Sequence, residues 1–526
     1  MTNETANERY ISGIINAKWS KITLSYYRLT KMEVTLLSNY LKCDVFVREL
    51  VLDGNKLGNC LDPSGMISLS EAIKVNKTLR ILNLSDNDIG GCPEGMISLA
   101  EAIKVNKTLE TLYLSGNNLG NCPEGMKCLS EALKNNKSIR ILYLGYNGLG
   151  KCLKGMKCLS EALKFNKTIQ RLHMNNNGLW RYPEGMNYLS ESLKFNKTIF
   201  DLNLNSNIGF CYENNFSGMK QFSDALRINT SIQFLDMSWS EFGRCSEGMK
   251  YLSDALRVNT SIQNLNFTGN NLGRCYKGTT FLSEALKVNT SIHTLYLGHN
   301  EFGRITHGLK QILESLKVNT AVRYLDFSGN YMWKCPAEMI TLSDVIKENT
   351  TVTSLDLSEN NLGRHPGLVN LNYISDALKR NTSITTLNLW NNKFGESFGG
   401  TADLLDALKE NCTIQTLELG RNALGKQSFG GIQILDLLRT NTTIQTLGLS
   451  RNNIGICPYP FPGTSTFLVA LKSNTTIQSI NLSDNNLYRA DLDAADIITS
   501  RNRHNARDRF LRGCTLFELL LPILKG

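Results

Sequence analysis

The segment TLETLYLSGNNLGNCPEGMKCLSEALKNN, residues 108–136, contains one complete copy of the unit from which this chain is built. Near its start, Leu112 and Leu114 alternate with Tyr113 and Ser115. An alternation of apolar and polar residues is the pattern of a strand with one buried face. The first part of the segment therefore predicts a short strand that places its leucines in a core.

The second part of the segment predicts a helix. Met126, Leu129, Ala132 and Leu133 fall at helical spacing, with polar residues between them, over about three turns. Between strand and helix stands Asn117, whose amide we expect to turn inward and to bond the backbone of neighbouring units. One such unit has too little apolar surface to close a core alone, so units must stack.

The pattern Leu-x-Leu-x-x-Asn-x-Leu-Gly recurs about every 30 residues along the chain. We call its asparagine position the slot. One slot departs from Asn and holds Ser240, and a degenerate first unit has Tyr27 there, after Ile22 and Leu24. The slots with Asn are Asn55, Asn87, Asn117, Asn147, Asn177, Asn207, Asn270, Asn300, Asn330, Asn360, Asn392, Asn422, Asn452 and Asn485. The regularity predicts one α/β solenoid of about 16 strand–helix units, where length alone suggests several domains.

These units resemble the leucine-rich repeats of the ribonuclease-inhibitor type, which also occur in NOD-like receptors and in Ran GTPase-activating proteins. The resemblance extends from about Ile22 to Leu487. It implies a horseshoe with a parallel sheet on the concave face and helices on the convex face. Because terminal units must be shielded, we expect an N-terminal cap at 1–21, a solenoid at 22–490 and a C-terminal helical cap at 491–526.

Three further columns recur with the repeat. An Asn eleven residues before the slot, as in Asn76, is expected to end each helix in the left-handed conformation. A Lys or Arg two residues earlier is expected to complement the helix dipole. Cysteines follow the slot, and we expect small buried thiols rather than metal ligands, because no pair has zinc-ligand spacing. This column holds Cys60, Cys92, Cys122, Cys152, Cys245, Cys275, Cys335 and Cys457, with Cys211 one residue out of register. We predict no metal and no cofactor.

The strand residues that alternate with the buried leucines are the candidate binding surface. Four residues before the slot, no Lys or Arg appears. A polar, mildly acidic surface with scattered aromatic residues is typical of protein-binding sites and unsuited to phosphates. The candidate partner-binding residues are Tyr113, Tyr143, His173, Asp236, Trp239, Tyr296, Asp326, Asp356, Trp390 and Glu418. A basic strip along one rim, a candidate site for an acidic partner, comprises Arg181, Arg244, Arg274, Arg304 and Arg364.

Composition and motifs restrict the function further. The 526 residues carry a net charge of +10 and 14 cysteines, with no secretory signal and no apolar run long enough to span a membrane. We therefore expect a cytoplasmic protein, with nuclear access left open, whose cysteines remain thiols. No P-loop, nucleophile elbow or HExxH motif is present.

These observations predict a non-enzymatic scaffold, monomeric alone, that binds a protein partner through the concave strand face. No specific nucleic acid and no membrane span is expected. The alternative that the resemblance implies is a GTPase-activating protein for a Ran-like small GTPase. Such activators usually end in an acidic tail, whereas this chain ends with Arg501, Arg503, Arg507, Arg509 and Arg512. Whether that basic helix only caps the solenoid or also binds a partner stays open.

Overall fold

A computed structural model describes Gly13 and residues 18–58, 62–208, 216–304, 306–364, 369–396, 398–426, 428–456 and 464–524. Of the candidate residues, Cys60, Cys211 and Cys457 lie outside these ranges, as does most of the predicted N-terminal cap. The chain divides into two compact parts, Met1–Asn270 and Asn271–Gly526, which we call the first unit and the second unit. A single strand–helix copy within them is called a repeat. Each unit is described by itself.

The first unit alternates nine three-residue strands with eight helices among its described residues. The strands are β1 Lys21–Thr23, β2 Glu49–Val51, β3 Ile81–Asn83, β4 Thr111–Tyr113, β5 Ile141–Tyr143, β6 Arg171–His173, β7 Asp201–Asn203, β8 Phe234–Asp236 and β9 Asn264–Asn266. The helices are α1 Lys31–Cys43, α2 Ser64–Val75, α3 Pro93–Val105, α4 Pro123–Asn135, α5 Leu153–Phe165, α6 Pro183–Phe195, α7 Ser217–Ile228 and α8 Ser246–Leu256. Each strand pairs in parallel with the next one along the chain.

The second unit repeats this arrangement with seven described strands and eight helices. The strands are β10 Thr294–Tyr296, β11 Tyr324–Asp326, β12 Ser354–Asp356, β13 Thr386–Asn388, β14 Thr416–Glu418, β15 Thr446–Gly448 and β16 Ser479–Asn481, again parallel and in chain order. The helices are α9 Tyr276–Val288, α10 Thr306–Val318, α11 Pro336–Glu348, α12 Val369–Arg380, α13 Phe398–Glu410, α14 Ser428–Thr440, α15 Thr464–Ser473 and α16 Arg489–Leu524. The predicted α/β repeat of strand–helix units is confirmed.

The core lies between the strands and the helices of each unit. Leu112 and Leu114 are fully buried at β4, and Met126 and Leu133 of α4 are fully buried as well. The burial follows the two periods read from the sequence, two for the strand and about 3.6 for the helix. The same positions are apolar and buried in the neighbouring strand–helix repeats, so the stacked repeats form a continuous core within each unit.

The slot asparagines are buried and form a ladder of hydrogen bonds. The Oδ1 atom of Asn147 accepts the backbone N–H groups of Asn117 at 2.9 Å and of Leu119 at 3.3 Å. Its Nδ2 atom donates to the carbonyl oxygens of Leu114 at 2.9 Å and Leu144 at 3.0 Å. One side-chain amide therefore satisfies backbone groups of its own strand–helix repeat, or rung, and of the preceding one.

Ser240, the one slot residue of the pattern that is not Asn, makes only some of the hydrogen bonds that the slot asparagines make. The Ser240 hydroxyl donates to the carbonyl oxygen of Ser238 at 3.2 Å, within its own rung. Its backbone N–H donates to Oδ1 of Asn270 at 2.8 Å, as other slot residues do to the next rung. The shorter serine side chain thus keeps one bond of the asparagine pattern.

The expectation that the second asparagine column ends each helix in the left-handed conformation is wrong. Asn136 has φ −65° and ψ 137°, an extended conformation. Its Oδ1 atom accepts the backbone N–H groups of Ser138 at 2.9 Å and Ile139 at 2.8 Å, while Nδ2 donates to the carbonyl oxygen of Ile103 at 2.7 Å. The side chain closes the turn and binds the preceding helix, so this column is a second ladder.

The cysteine column lies at the N-terminal ends of helices. Cys92, Cys122, Cys152, Cys245 and Cys335 are buried, and Cys275 is half-buried. Cysteine also caps some helices, a role that the sequence pattern did not suggest. In those cases Sγ accepts the backbone N–H of the glycine three residues later, at 3.3 Å for Cys122 and Gly125. The described cysteines are free thiols, and burial raises the pKa of Cys335 to about 12.

The last helix, α16, begins at Arg489, inside the range predicted for the solenoid. Asn502 on this helix is buried, and its Nδ2 atom donates to the carbonyl oxygens of Asn474 at 3.0 Å and Ile477 at 2.9 Å. Asn136 makes a comparable bond to the carbonyl oxygen of Asn106. Through this contact, α16 occupies the position that a further rung would occupy. The limits of both caps stay predictions.

We expect Asn147→Ala to lower the free energy of unfolding by about 3 kcal/mol, because it leaves two buried N–H groups and the carbonyls of Leu114, Leu144 and Gly145 without this partner. Urea denaturation followed by circular dichroism measures the change. Asn135→Ala is the matched control, because Asn135 is exposed and should cost less than about 1 kcal/mol. Equal losses in the two variants would contradict the ladder.

A second substitution tests whether the asparagines at the helix ends act through a left-handed backbone or through their side chains. A residue in the left-handed conformation is replaced by Gly at little cost, whereas Asn136 acts through its side chain. We expect Asn136→Gly and Asn136→Ala each to lower the midpoint of thermal unfolding by several degrees. Wild-type stability for the Gly variant, measured by differential scanning calorimetry, would restore the left-handed interpretation.

Candidate binding surface on the strand face

The first and third residues of each strand supply the candidate surface, because the middle residue faces the core. In β5, for example, Leu142 is fully buried while Ile141 and Tyr143 are partly exposed. The parallel register places Tyr113, Tyr143 and His173 side by side on β4, β5 and β6. Side chains that are 30 residues apart in sequence are therefore direct neighbours on this face.

Three of the predicted residues form a stack in the first unit. The ring centroids of Tyr113 and Tyr143 lie 4.2 Å apart with an interplanar angle of 6°. Those of Tyr143 and His173 lie 4.4 Å apart with an angle of 16°. Stacked rings hold one another in place, so this part of the face presents pre-ordered aromatic edges with hydroxyl and imidazole groups.

Charged groups lie beside the stack. Arg171, at the first position of β6, forms an ion pair of 3.8 Å with Asp201 and lies 5.7 Å from the ring centre of Phe200. Cations are thus absent from the third strand positions but present next to them. Asp236 accepts a hydrogen bond of 3.1 Å from Nδ2 of Asn203.

Burial changes the protonation of two of these groups. Burial lowers the pKa of His173, and the nearby carboxylate of Asp201 opposes the shift only in part. Burial also raises the pKa of Asp236, against the hydrogen bonds from Ser238 that stabilise its carboxylate. His173 therefore faces the surface as a neutral imidazole near neutral pH.

Trp239 has a different position from the other candidates. It precedes slot residue Ser240 with φ 53°, in the left-handed region, and half of its surface is exposed. Its ring lies over Gly269, where an added Cβ would come within 2.3 Å of the ring. Because Gly269 has no side chain, the indole ring of Trp239 can occupy this space. Phe234, the first residue of β8, is also exposed.

The second unit carries the more acidic candidates. The rings of Tyr296 and Tyr324 lie 5.1 Å apart, and burial raises the pKa of both residues. Asp326 is largely buried, since only 8% of its surface is exposed, so little of it is available to a partner. Asp356 is partly exposed and accepts a bond of 2.8 Å from Nδ2 of Asn388.

Two further candidates of the second unit are partly exposed. Burial raises the pKa of Glu418, whose carboxylate occupies space that a side chain at Gly448 would fill. Trp390 lies under the guanidinium of Arg421, 5.4 Å from the ring centre to the carbon of that group. These residues extend the polar and aromatic surface over β13 and β14.

The five arginines of the rim strip are all exposed, but intramolecular contacts engage them. In the first unit, Arg244 pairs with Glu241 at 3.3 Å and Arg181 lies over the ring of Tyr182. In the second unit, Arg274 and Arg304 both contact Glu301, at 2.5 and 3.6 Å. Carboxylates thus offset part of the positive charge of the strip.

Arg364 and Arg304 also contact aromatic side chains. Arg364 lies 5.3 Å from the ring centre of Trp333, and Arg304 lies 5.7 Å from that of Tyr331. These cation–aromatic contacts order the arginines along the side of the second unit.

Sequence reasoning missed the backbone on both sides of the slot. Gly116 and Asn118 flank Asn117 with φ 67° and 54°, both in the left-handed region. The residues flanking most other slots have the same sign of φ, including Trp239 and Glu241. The frequent Gly, Asn and Asp at these two positions was the available signal.

Within the described ranges, no group of His, Cys, Asp and Glu side chains is arranged to hold a metal ion. In the same part of the chain, none of the helices combines the length and the apolar character needed to cross a membrane.

Comparison with known proteins agrees with the fold. The family model described as "Leucine Rich repeat" matches residues 75–100, 105–130 and 348–364. These matches and the repeated strand–helix units support a leucine-rich repeat protein; the ribonuclease-inhibitor subtype stays a prediction. Among curated proteins, none matches the sequence.

Solved structures also resemble the chain. One of them, "Leiomodin-1 Actin-Binding Site 2 (ABS2)", is 22% identical over 35% of this chain and 97% of its own, with a TM-score of 0.27.

We expect the imidazole of His173 to titrate below pH 6.5 in nuclear magnetic resonance spectra of the folded protein. Because the unfolded state then binds more protons, His173 contributes stability above pH 6.5 that is lost as the pH falls through its folded-state pKa. His173→Gln should remove that part of the pH dependence. A titration midpoint at or above 6.5 would show that burial does not control this group.

Proposed function

We propose that this chain is a protein-interaction module that binds a protein partner through its strand face. Leucine-rich repeats generally mediate protein–protein interaction, and the matched segments support that general role. The observation that carries the choice of face is the stack of Tyr113, Tyr143 and His173. Ordered aromatic side chains lose little conformational entropy on binding and are frequent anchors of interfaces.

The composition of the face favours a protein partner over a nucleic acid. The third strand positions carry mostly Tyr, Asn and Asp, and none of them in the described strands is Lys or Arg. Where Arg171 approaches the face, Asp201 pairs with it. A groove for phosphates requires unpaired Lys and Arg along its length, and this surface lacks such a row in the described strands.

We further propose that the module is non-enzymatic, cytoplasmic and monomeric alone. The alternative function, activation of a Ran-like GTPase, has no observation in its favour, because neither the matched repeats nor the geometry of the face distinguishes it.

The test begins with affinity purification of the full chain from its native cells and identification of the partner by mass spectrometry. A variant with Ala at Tyr113, Tyr143, Trp239, Tyr296 and Trp390 is then compared with wild type by isothermal titration calorimetry. We expect a loss of affinity of at least tenfold, equivalent to about 1.4 kcal/mol, because interface anchors each contribute that much or more.

The matched control replaces Tyr276 and Tyr488 with Ala, two exposed tyrosines outside the strands. Their loss should change the affinity less than twofold. Unchanged affinity of the five-residue variant, with its fold intact by circular dichroism, would remove the strand face as the binding site.

A further inference from the structure

A second surface of the first unit has a composition that the fold does not explain. At four helix ends the sequence reads Lys, an apolar residue, Asn and Lys: 74–77, 104–107, 164–167 and 194–197. The apolar residue is about half exposed in each, from 46% at Val105 to 56% at Phe195. A fifth copy, 134–137, has Asn in the apolar position.

The third residue of this motif closes a turn in each repeat. It is the second-ladder asparagine, whose amide closes the turn and binds the preceding helix. The second unit forms the same turns and keeps the first Lys or Arg, but it lacks the second lysine. Its apolar position keeps Val288 and Val318 but becomes Glu348, Arg380, Glu410, Thr440 and Ser473 further along the chain, and the residue after the Asn is always Thr or Cys. The exposed apolar residues and the second lysines are therefore not requirements of the repeat.

The motif lines a groove at the start of the first unit. The groove has a volume of about 870 Å³, and its lining includes Val75 and Val105 together with Lys42, Lys74, Lys77 and Lys107. Half-exposed valines and four lysines thus line the same space. Such a surface combines apolar burial with attraction for negative charge.

Most of the positive charge in the groove is not neutralised by this chain. Glu71 contacts Lys74 at 3.4 Å, whereas no ion pair engages Lys42, Lys77 or Lys107 within the described residues. The carboxylate in the lining belongs to Asp44. Its Oδ2 atom already accepts the backbone N–H groups of Phe46 at 3.1 Å and Val47 at 2.7 Å.

The same chemistry continues along the first unit. The ammonium group of Lys134 lies 5.2 Å from the ring centre of Phe165, and that of Lys164 lies 4.5 Å from that of Phe195. Apolar side chains and cations therefore alternate beyond the groove. The surface is longer than the groove itself and suits an extended ligand.

We propose that the groove formed by Lys42, Lys74, Val75, Lys77, Val105 and Lys107 binds an acidic peptide segment that carries bulky apolar side chains. Carboxylates of the segment pair with the free lysines, and its apolar side chains cover the two valines. A recessed site with ammonium groups beside apolar residues fits a peptide better than a flat anionic bilayer. This site is separate from the strand face and does not depend on the function proposed for it.

The probe is a fluorescein-labelled octapeptide of six Glu, one Leu and one Phe, and the readout is fluorescence anisotropy with the full-length chain. We expect saturable binding that weakens as the salt concentration rises. Polyglutamate of the same length should bind at least fivefold more weakly, because it lacks the apolar side chains.

The variants copy residues that the second unit already accepts at the same positions. Val75→Glu with Val105→Glu, and separately Lys77→Thr with Lys107→Thr, should each weaken binding of the octapeptide at least tenfold. Val288→Glu with Val318→Glu is the matched control, since these exposed valines lack the second lysine, and it should change binding less than twofold. Thermal unfolding verifies that all variants fold.

Three results would overturn the proposal. They are no binding of the octapeptide at 1 mM protein, on the order of the weakest specific affinities; an equal effect of the control variant; or binding to phosphatidylserine vesicles without binding to the peptide. The last result would assign the surface to anionic membranes instead.

Discussion

The buried amide of the slot asparagine is the interaction on which the rest of the structure depends. Each strand is only three residues long, and the chain leaves it through two left-handed residues that cannot continue the sheet. The backbone groups exposed there are buried, so they need a polar partner. Asn supplies an acceptor and two donors within one short side chain. Because those bonds cross to the neighbouring rung, the backbone hydrogen bonds of each rung are satisfied only when the next rung is in place.

The sequence was sufficient to predict the fold because the decisive features are local and repeated. Leucine spacing indicates which residues face the core, and the slot fixes the register between units. The conformation of the second asparagine column could not be read in this way. Asn is common both in left-handed residues and in turns closed by its side chain. What decides between them at Asn136 is the carbonyl oxygen of Ile103, which lies 33 residues earlier in the chain.

For the candidate surface, the sequence predicts which residues are neighbours but not the contacts they make. Register alone places Tyr113, Tyr143 and His173 side by side, and the structure has them so. Their stacking, the burial of Asp326 and the approach of Arg171 depend on side-chain conformations and neighbouring strands, which the repeat pattern does not encode. The ladders constrain few positions in each unit. The remaining columns can therefore differ between the strand face and the helix ends.

Hydrogen exchange of individual backbone amides tests the ladder most directly. The account predicts that the N–H groups of Asn117 and Leu119, which donate to the side chain of Asn147, exchange as slowly as that of Leu114, which donates to the carbonyl of Tyr143. Exchange of Asn117 and Leu119 at rates close to those of an unstructured chain, while Leu114 stays protected, would contradict the account. The slot asparagine would then be a consequence of the stacking and not its cause.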